Sequence, residues 1–206
     1  MLRAGRHAYY MGKTLNWQVT IDFGLVEFGD ELVPFQLLQD IRKRVWSWWD
    51  YKRRLGIVSG PLLDWVTWEC PKNQAHANWL IFMPEALWPE FRRAVNDRCR
   101  KVLGELDADT VDQQEIWNAN GLMFYTLKGT QPEYAKKIKI KPSEQGTVWF
   151  RRAYSARALG PAARERDWNE GRVTEQPKTS LPKPREVREI IRRGGVLPLA
   201  AASAAP

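Results

Sequence analysis

Three clusters in this 206-residue chain combine reactive side chains at spacings that bring them together. The first is His76-Ala77-Asn78, inside an alternating stretch that reads as a strand. Residues two apart in a strand share a face, so His76 and Asn78 present an imidazole and an amide side by side. The second is Glu69, across a turn-like segment at Cys70-Pro71-Lys72-Asn73-Gln74. A six-residue loop would pair Glu69 with His76 on one face, whereas a loop of odd length would put it on the other. A carboxylate, an imidazole and an amide together form an N/O donor set suited to Mg²⁺ or Mn²⁺. Asp22, on the polar face of an earlier strand with Gln18 and Thr20, is a rival ligand. The third cluster is Tyr125-Thr126-Leu127-Lys128. On a helix, positions i and i+3 are neighbours, so this spacing sets a phenol beside an ammonium that can hold a phosphate. For each cluster there is a plain structural alternative: a strand histidine, an exposed glutamate and a core tyrosine.

The elements that must position these groups are legible in the hydrophobic pattern. Trp17 to Phe23 alternates with period two and ends at Gly24, the mark of a strand. A helix is predicted from Pro34 to about Leu55, stopped by Gly56, with Arg42, Lys43, Arg44, Lys52, Arg53 and Arg54 on its exposed face. Leu62–Glu69 and Ala75–Met83 form a predicted hairpin. Pro89 opens a second helix with Phe91, Val95, Cys99, Val102 and Leu103 on one side. Val111–Trp117 reads as a strand and Gly121–Lys128 as a short helix closed by Gly129. Lys136 to Lys141 alternates before Pro142, and Thr147–Phe150 is a candidate last strand. Gly160-Pro161 is expected to break the segment that follows. The order of elements predicts an α+β fold, an antiparallel sheet with helices mainly on one face. Residues 1–155 would form the body. Residues 156–206 would form a basic C-terminal extension, partly disordered from about Glu175, where prolines and alanines accumulate.

Charge is unevenly distributed. The chain carries +8 overall. Residues 1–135 hold 16 basic and 17 acidic side chains, a net −1; residues 136–206 hold 16 and 7, a net +9. Such asymmetry points to an anionic partner, most often a nucleic acid, or else to a solvated tail. No apolar run reaches the ~20 residues of a membrane span, and no secretory leader is visible. Cys70 and Cys99 are too few for a disulfide framework. Lys136, Lys137, Lys139, Lys141, Arg151, Arg152, Arg157 and Arg164 are candidate phosphate contacts. Trp149, Phe150 and Tyr154 lie among them and either stack on unpaired bases or complete the core. Trp46, Trp48, Trp49, Trp65, Trp68 and Trp79 read as core.

The clusters occur in a telling order. Val19-Thr20-Ile21-Asp22-Phe23, His76-Ala77-Asn78-Trp79-Leu80, Tyr125-Thr126-Leu127-Lys128-Gly129 and the run from Ser155 to Arg164 together resemble HUH endonucleases. That family takes in rolling-circle replication initiators and relaxases, and the likeness is greatest to small bacterial plasmid-type replication proteins. The resemblance implies that Tyr125 attacks a phosphate in single-stranded or cruciform DNA at a replication origin, leaving a 5′-phosphotyrosine link. It implies a Mg²⁺ or Mn²⁺ ion on His76, Asn78 and Glu69, and a charge-offsetting role for Lys128. It also implies a cytoplasmic bacterial setting and a host helicase as a possible partner, since no phosphate-cradling Gly-Lys-Ser/Thr loop is present. The family's second histidine is Asn78 here. That substitution keeps a second reading open, a DNA-binding accessory or regulator with a degraded metal site. A third is an RNA-binding protein on a related sheet.

Overall fold

The computed structural model describes residues 2–25, 32–130, 132–146, 148 and 152–173. Its elements are α1 (Leu2–Tyr10), β1 (Trp17–Leu25), α2 (Leu32–Arg54), β2 (Asp64–Glu69), β3 (Gln74–Ile81), α3 (Trp88–Leu103), β4 (Val111–Glu115), α4 (Ala119–Thr126), α5 (Pro132–Ile138), β5 (Ala153–Ser155) and α6 (Pro161–Asn169). The strands make one antiparallel sheet in the order β4-β1-β3-β2-β5. The α+β expectation therefore holds. The run β1-α2-β2-β3-α3-β4 is a split βαβ arrangement, with β3 inserted between β1 and β2.

Period-two alternation gives the sheet two unlike faces. One carries Trp17, Val19, Ile21, Val66, Trp68, Ala77, Trp79 and Ile81, all buried under α2 and α3. Pro34 sits in the first turn of α2, where a missing N–H costs nothing. The helix ends in a Schellman motif. Gly56 adopts a positive φ, its N–H reaches the Arg53 carbonyl, and the Ile57 N–H reaches Lys52. In α3, Pro89 occupies the first turn and Cys99 is fully buried, which pushes its thiol up to about 12.

Two cations expected on the exposed face of α2 are buried instead. Arg42 reaches across to Asp64 at the start of β2, at 3.1 Å from Nε and 2.8 Å from Nη2 to Oδ2. The Trp79 indole N–H donates to the same oxygen at 2.8 Å. Lys52 pairs with Glu90 of α3 at 2.7 Å, and its hydrogen bond is the main reason the Glu90 carboxyl lies below its ordinary range. Both positions fall inside a helical stripe widened by a counter-charge on the neighbouring element, which a one-sequence periodicity cannot show. Conversely, Trp46 is 39% exposed, with Arg42 stacked on its ring.

The second face is apolar at one end and polar at the other. Leu63, Trp65 and Leu80 form a smaller core with Ala4 and Ala8 of α1, Leu127 after α4, and Leu159. Helices thus lie on both faces, the two long ones on one side and short ones on the other. The sequence pattern did not predict α1 or α6. Pro161 does not break the chain; it starts α6 as a first-turn residue. A short strand lies at Ala153–Ser155 and Lys136–Ile138 is helical; of the strand expected at Thr147–Phe150 only Val148 is among the described residues. Trp149, Phe150, Arg151 and the tail from 174 lie outside the described residues. No helix among the described residues is long and apolar enough to cross a membrane.

His7 of α1 and Asp167 of α6 form a buried hydrogen bond at 2.9 Å that ties these two helices together. Burial lowers the His7 pKa below its ordinary 6.5, against a smaller opposing pull from Asp167. The unfolded chain therefore takes up more protons than the folded one as pH falls below about 6.5, so stability falls with it. The urea midpoint is expected to drop between about pH 6.5 and 5, before ordinary carboxylates titrate, and His7→Gln to flatten that slope.

Candidate functional site

The polar end of the second face is where the chemistry-bearing residues meet. Strand pairing sets Glu69 directly opposite His76, and His76 directly opposite Asp22. The hairpin loop between Glu69 and His76 thus has the even length that keeps both on one face. Its tight turn puts Lys72 and Asn73 at positive φ, 52° and 64°. One row away lie Thr20, Asn78 and Thr67, again in register. A continuous Asp22–His76–Glu69 row therefore crosses the three adjacent strands β1, β3 and β2.

Within this row His76 Nδ1 stands 3.8 Å from Asp22 Oδ2. Asp22 is held in place by the Gln74 side-chain amide at 2.6 Å and by the Gly24 N–H at 2.7 Å. Glu69 Oε1 is buried without a hydrogen-bond partner, and so is Thr67 Oγ1. Asn78 belongs to the row behind. Its Oδ1 accepts from Gln18 Nε2 at 3.2 Å and Thr20 Oγ1 at 3.3 Å, so its oxygen is already engaged.

The helix α4 brings the third cluster to this row. Asn118 caps it, accepting the Gly121 N–H at 2.9 Å. Leu127 is drawn into the small core, so the chain after α4 lies against the sheet. Lys128 then places its Nζ 3.7 Å from Glu69 Oε2 and 3.7 Å above the Tyr125 ring. Tyr125 itself is 55% exposed. Side-chain contacts thus link Tyr125 to Lys128, Lys128 to Glu69, and His76 to Asp22, while strand pairing sets Glu69 opposite His76.

A segment beyond α5 braces the site. The Cys70 N–H donates to the Gln145 carbonyl at 2.8 Å, and the Lys128 carbonyl accepts from Ser143 at 2.9 Å. Arg152, expected to meet DNA, is turned inward. Its guanidinium donates to the Gly146 carbonyl at 2.7 Å and the Trp68 carbonyl at 3.4 Å. Burial lowers its pKa, against an opposing pull from Glu69. Gly146 combines a φ of +66° with a backbone so close that a Cβ would fall 1.7 Å from the Cys70 oxygen. Gly146→Ala is therefore expected to cost about 1–3 kcal/mol, read as a lowered urea midpoint.

Of the other candidate phosphate contacts, Lys136, Lys137, Lys139, Lys141 and Arg157 are all exposed. Arg164 is half-buried on α6, where burial, then Arg3, lowers its pKa. Tyr154 is not free to stack on a base. Its hydroxyl accepts from Gln39 at 2.6 Å, Arg42 covers its ring, and burial raises its pKa. Thr67 and Gln74 were missed in the sequence. Period two counted back from Glu69 marks Thr67; nothing local marks Gln74.

No family model, curated protein or solved structure significantly matches this chain. The functional reading therefore rests on the site's own chemistry.

A divalent cation is what the HUH resemblance implies here. Among the described residues no three His, Cys, Asp or Glu side chains converge as a metal-holding group. The donor types nonetheless suit a hard cation: two carboxylates and an imidazole in one row, with the unpartnered Glu69 Oε1 as the atom a cation would satisfy. Asp22 joins that set as a second carboxylate directly opposite His76, with both of its oxygens, like that of Asn78, already accepting hydrogen bonds.

Proposed function

We propose that this protein is a tyrosine-dependent single-strand DNA endonuclease of the replication-initiator kind, acting in the bacterial cytoplasm. The observation that carries the reading is the linked set Tyr125–Lys128–Glu69–His76, assembled from positions 69 to 128 on one sheet face. A phenol half open to solvent, beside an ammonium and a carboxylate–imidazole row, suits phosphoryl transfer to tyrosine.

In this reading Tyr125 Oη attacks the scissile phosphorus. The Oη–P bond forms and the P–O3′ bond breaks. The phenol proton is released, and the departing 3′-oxygen is protonated to a hydroxyl. The 5′-phosphate remains on Tyr125, so the bond energy is kept for rejoining. Lys128 neutralises charge on the phosphate oxygens. Asp22, His76 and Glu69 would hold a Mg²⁺ or Mn²⁺ ion, which supplies Lewis-acid polarisation of the phosphate when bound. Gln74 and the Gly24 N–H orient Asp22, and Gln18 and Thr20 fix Asn78 behind the row. Lys136, Lys137, Lys139, Lys141 and Arg157 would follow the DNA backbone, a contact that weakens as salt rises. A host helicase would separate the strands.

The test is intact mass of the full chain after incubation with single-stranded origin oligonucleotides, with Mn²⁺ and with EDTA. A mass increase equal to the 5′-phosphorylated fragment, mapped to Tyr125, is expected. The engaged Asn78 oxygen favours one alternative, a DNA-binding accessory protein without chemistry. Salt-sensitive DNA binding with no adduct on an origin-containing oligonucleotide would select it.

A further inference from the structure

We propose that Lys128 and a divalent cation compete for Glu69, so that Lys128 acts as a built-in brake on metal binding; this rests on the nickase reading above. Lys128 Nζ lies 3.7 Å from Glu69 Oε2, and both side chains are largely shielded, 19% and 13% exposed. At such a site a carboxylate and an ammonium neutralise one another more strongly than in open water. A 2+ ion held by Glu69 and His76 would stand within a few ångströms of that ammonium, and like charges repel at that range.

Although Lys128 faces Oε2 and the cation would take Oε1, each charge weakens the other's hold on the same carboxylate. Arg152 also lies within electrostatic reach of Glu69, but its guanidinium is fastened to the Gly146 and Trp68 carbonyls. Lys128 is the movable charge, since among the described residues its other recorded partner is the Tyr125 ring, 3.7 Å from Nζ. A phosphate placed for attack by Tyr125 would give the displaced ammonium a new anionic partner. Metal and DNA phosphate therefore favour each other's binding: the phosphate draws Lys128 off Glu69, and the metal keeps it off. By linkage the coupling is reciprocal. The free protein holds metal weakly, and the loaded complex holds it tightly.

The experiment is Mn²⁺ titration of the DNA-free full-length protein, followed by calorimetry and by loss of the free-ion electron paramagnetic resonance signal. Lys128→Met, which keeps the aliphatic stem, is expected to bind Mn²⁺ at least tenfold more tightly than the native chain. Lys128→Arg is expected to stay within about threefold of native. Glu69→Gln combined with Lys128→Met is expected to erase the gain. Circular dichroism confirms that each variant is folded. Equal or weaker binding by Lys128→Met overturns the competition, as does absence of measurable Mn²⁺ binding in all the proteins. The nickase reading is judged separately by the Tyr125 adduct, so an adduct with no Lys128 effect removes the brake alone.

Discussion

Tyr125→Phe is expected to reduce covalent DNA attachment to background while leaving DNA binding and stability close to native. The substitution removes one oxygen from a side chain that is 55% exposed. Surface changes of that kind shift stability by no more than about 0.5 kcal/mol. The ring that Lys128 covers is retained, and the lysine's pairing with Glu69 is untouched. The phosphate contacts proposed for α5 and Arg157 would not involve Tyr125, so the salt-dependent part of binding should persist. What is lost is the only atom that can accept the phosphoryl group at this position. The measurement is a paired one, with adduct by intact mass and binding by fluorescence anisotropy on the same oligonucleotide. An undiminished adduct in the variant would remove Tyr125 as the nucleophile. Tyr134 would then be the next residue to map.

Asp64→Ala is expected to destabilise the fold by about 3–5 kcal/mol, a large share of the roughly 5–15 kcal/mol that holds a domain together. Asp64 is fully buried, and its Oδ2 receives the Arg42 guanidinium twice and the Trp79 indole once. Truncation leaves Arg42 as an unpaired charge between α2 and the sheet. It also leaves the Trp79 N–H without its acceptor. A chain of this length loses roughly 2–4 °C in Tm per kcal/mol, so the drop should be about 6–20 °C. Replacing both partners with apolar residues, Arg42→Met with Asp64→Leu, should recover much of the loss, because no buried charge then remains unmatched. Urea unfolding followed by tryptophan fluorescence measures the cycle, and additive single and double effects would contradict a coupled pair. Loss of adduct in Asp64→Ala, unlike in Tyr125→Phe, would follow loss of fold.

The order of strands and long helices was readable because each buries a single face, and burial leaves a period of two or 3.6 in the residues. Trp17 to Phe23, the hairpin to Met83, and the helix after Pro89 all carry that mark. The short elements α1 and α6 do not. They bury small residues, Ala4, Ala8 and Ala163, and are tied by the His7–Asp167 bond, which joins residues 160 positions apart and leaves no local pattern. Arg42 and Lys52 looked solvent-facing for the same reason, since their counter-charges come from other elements.

The site divides along a similar line. Residue types and short spacings alone marked His76, Glu69, Tyr125 and Lys128 as chemically able, and strand periodicity put His76 and Asn78 on one face. The loop length that set Glu69 beside His76, the turn of Arg152 and Tyr154 away from solvent, and the choice of Asp22 over Asn78 as neighbour of the row were decided by tertiary structure. Each depends on the register between strands or on which distant backbone carbonyl or side chain meets a charge. Local sequence sets which face a side chain can take, and only packing sets what stands opposite it.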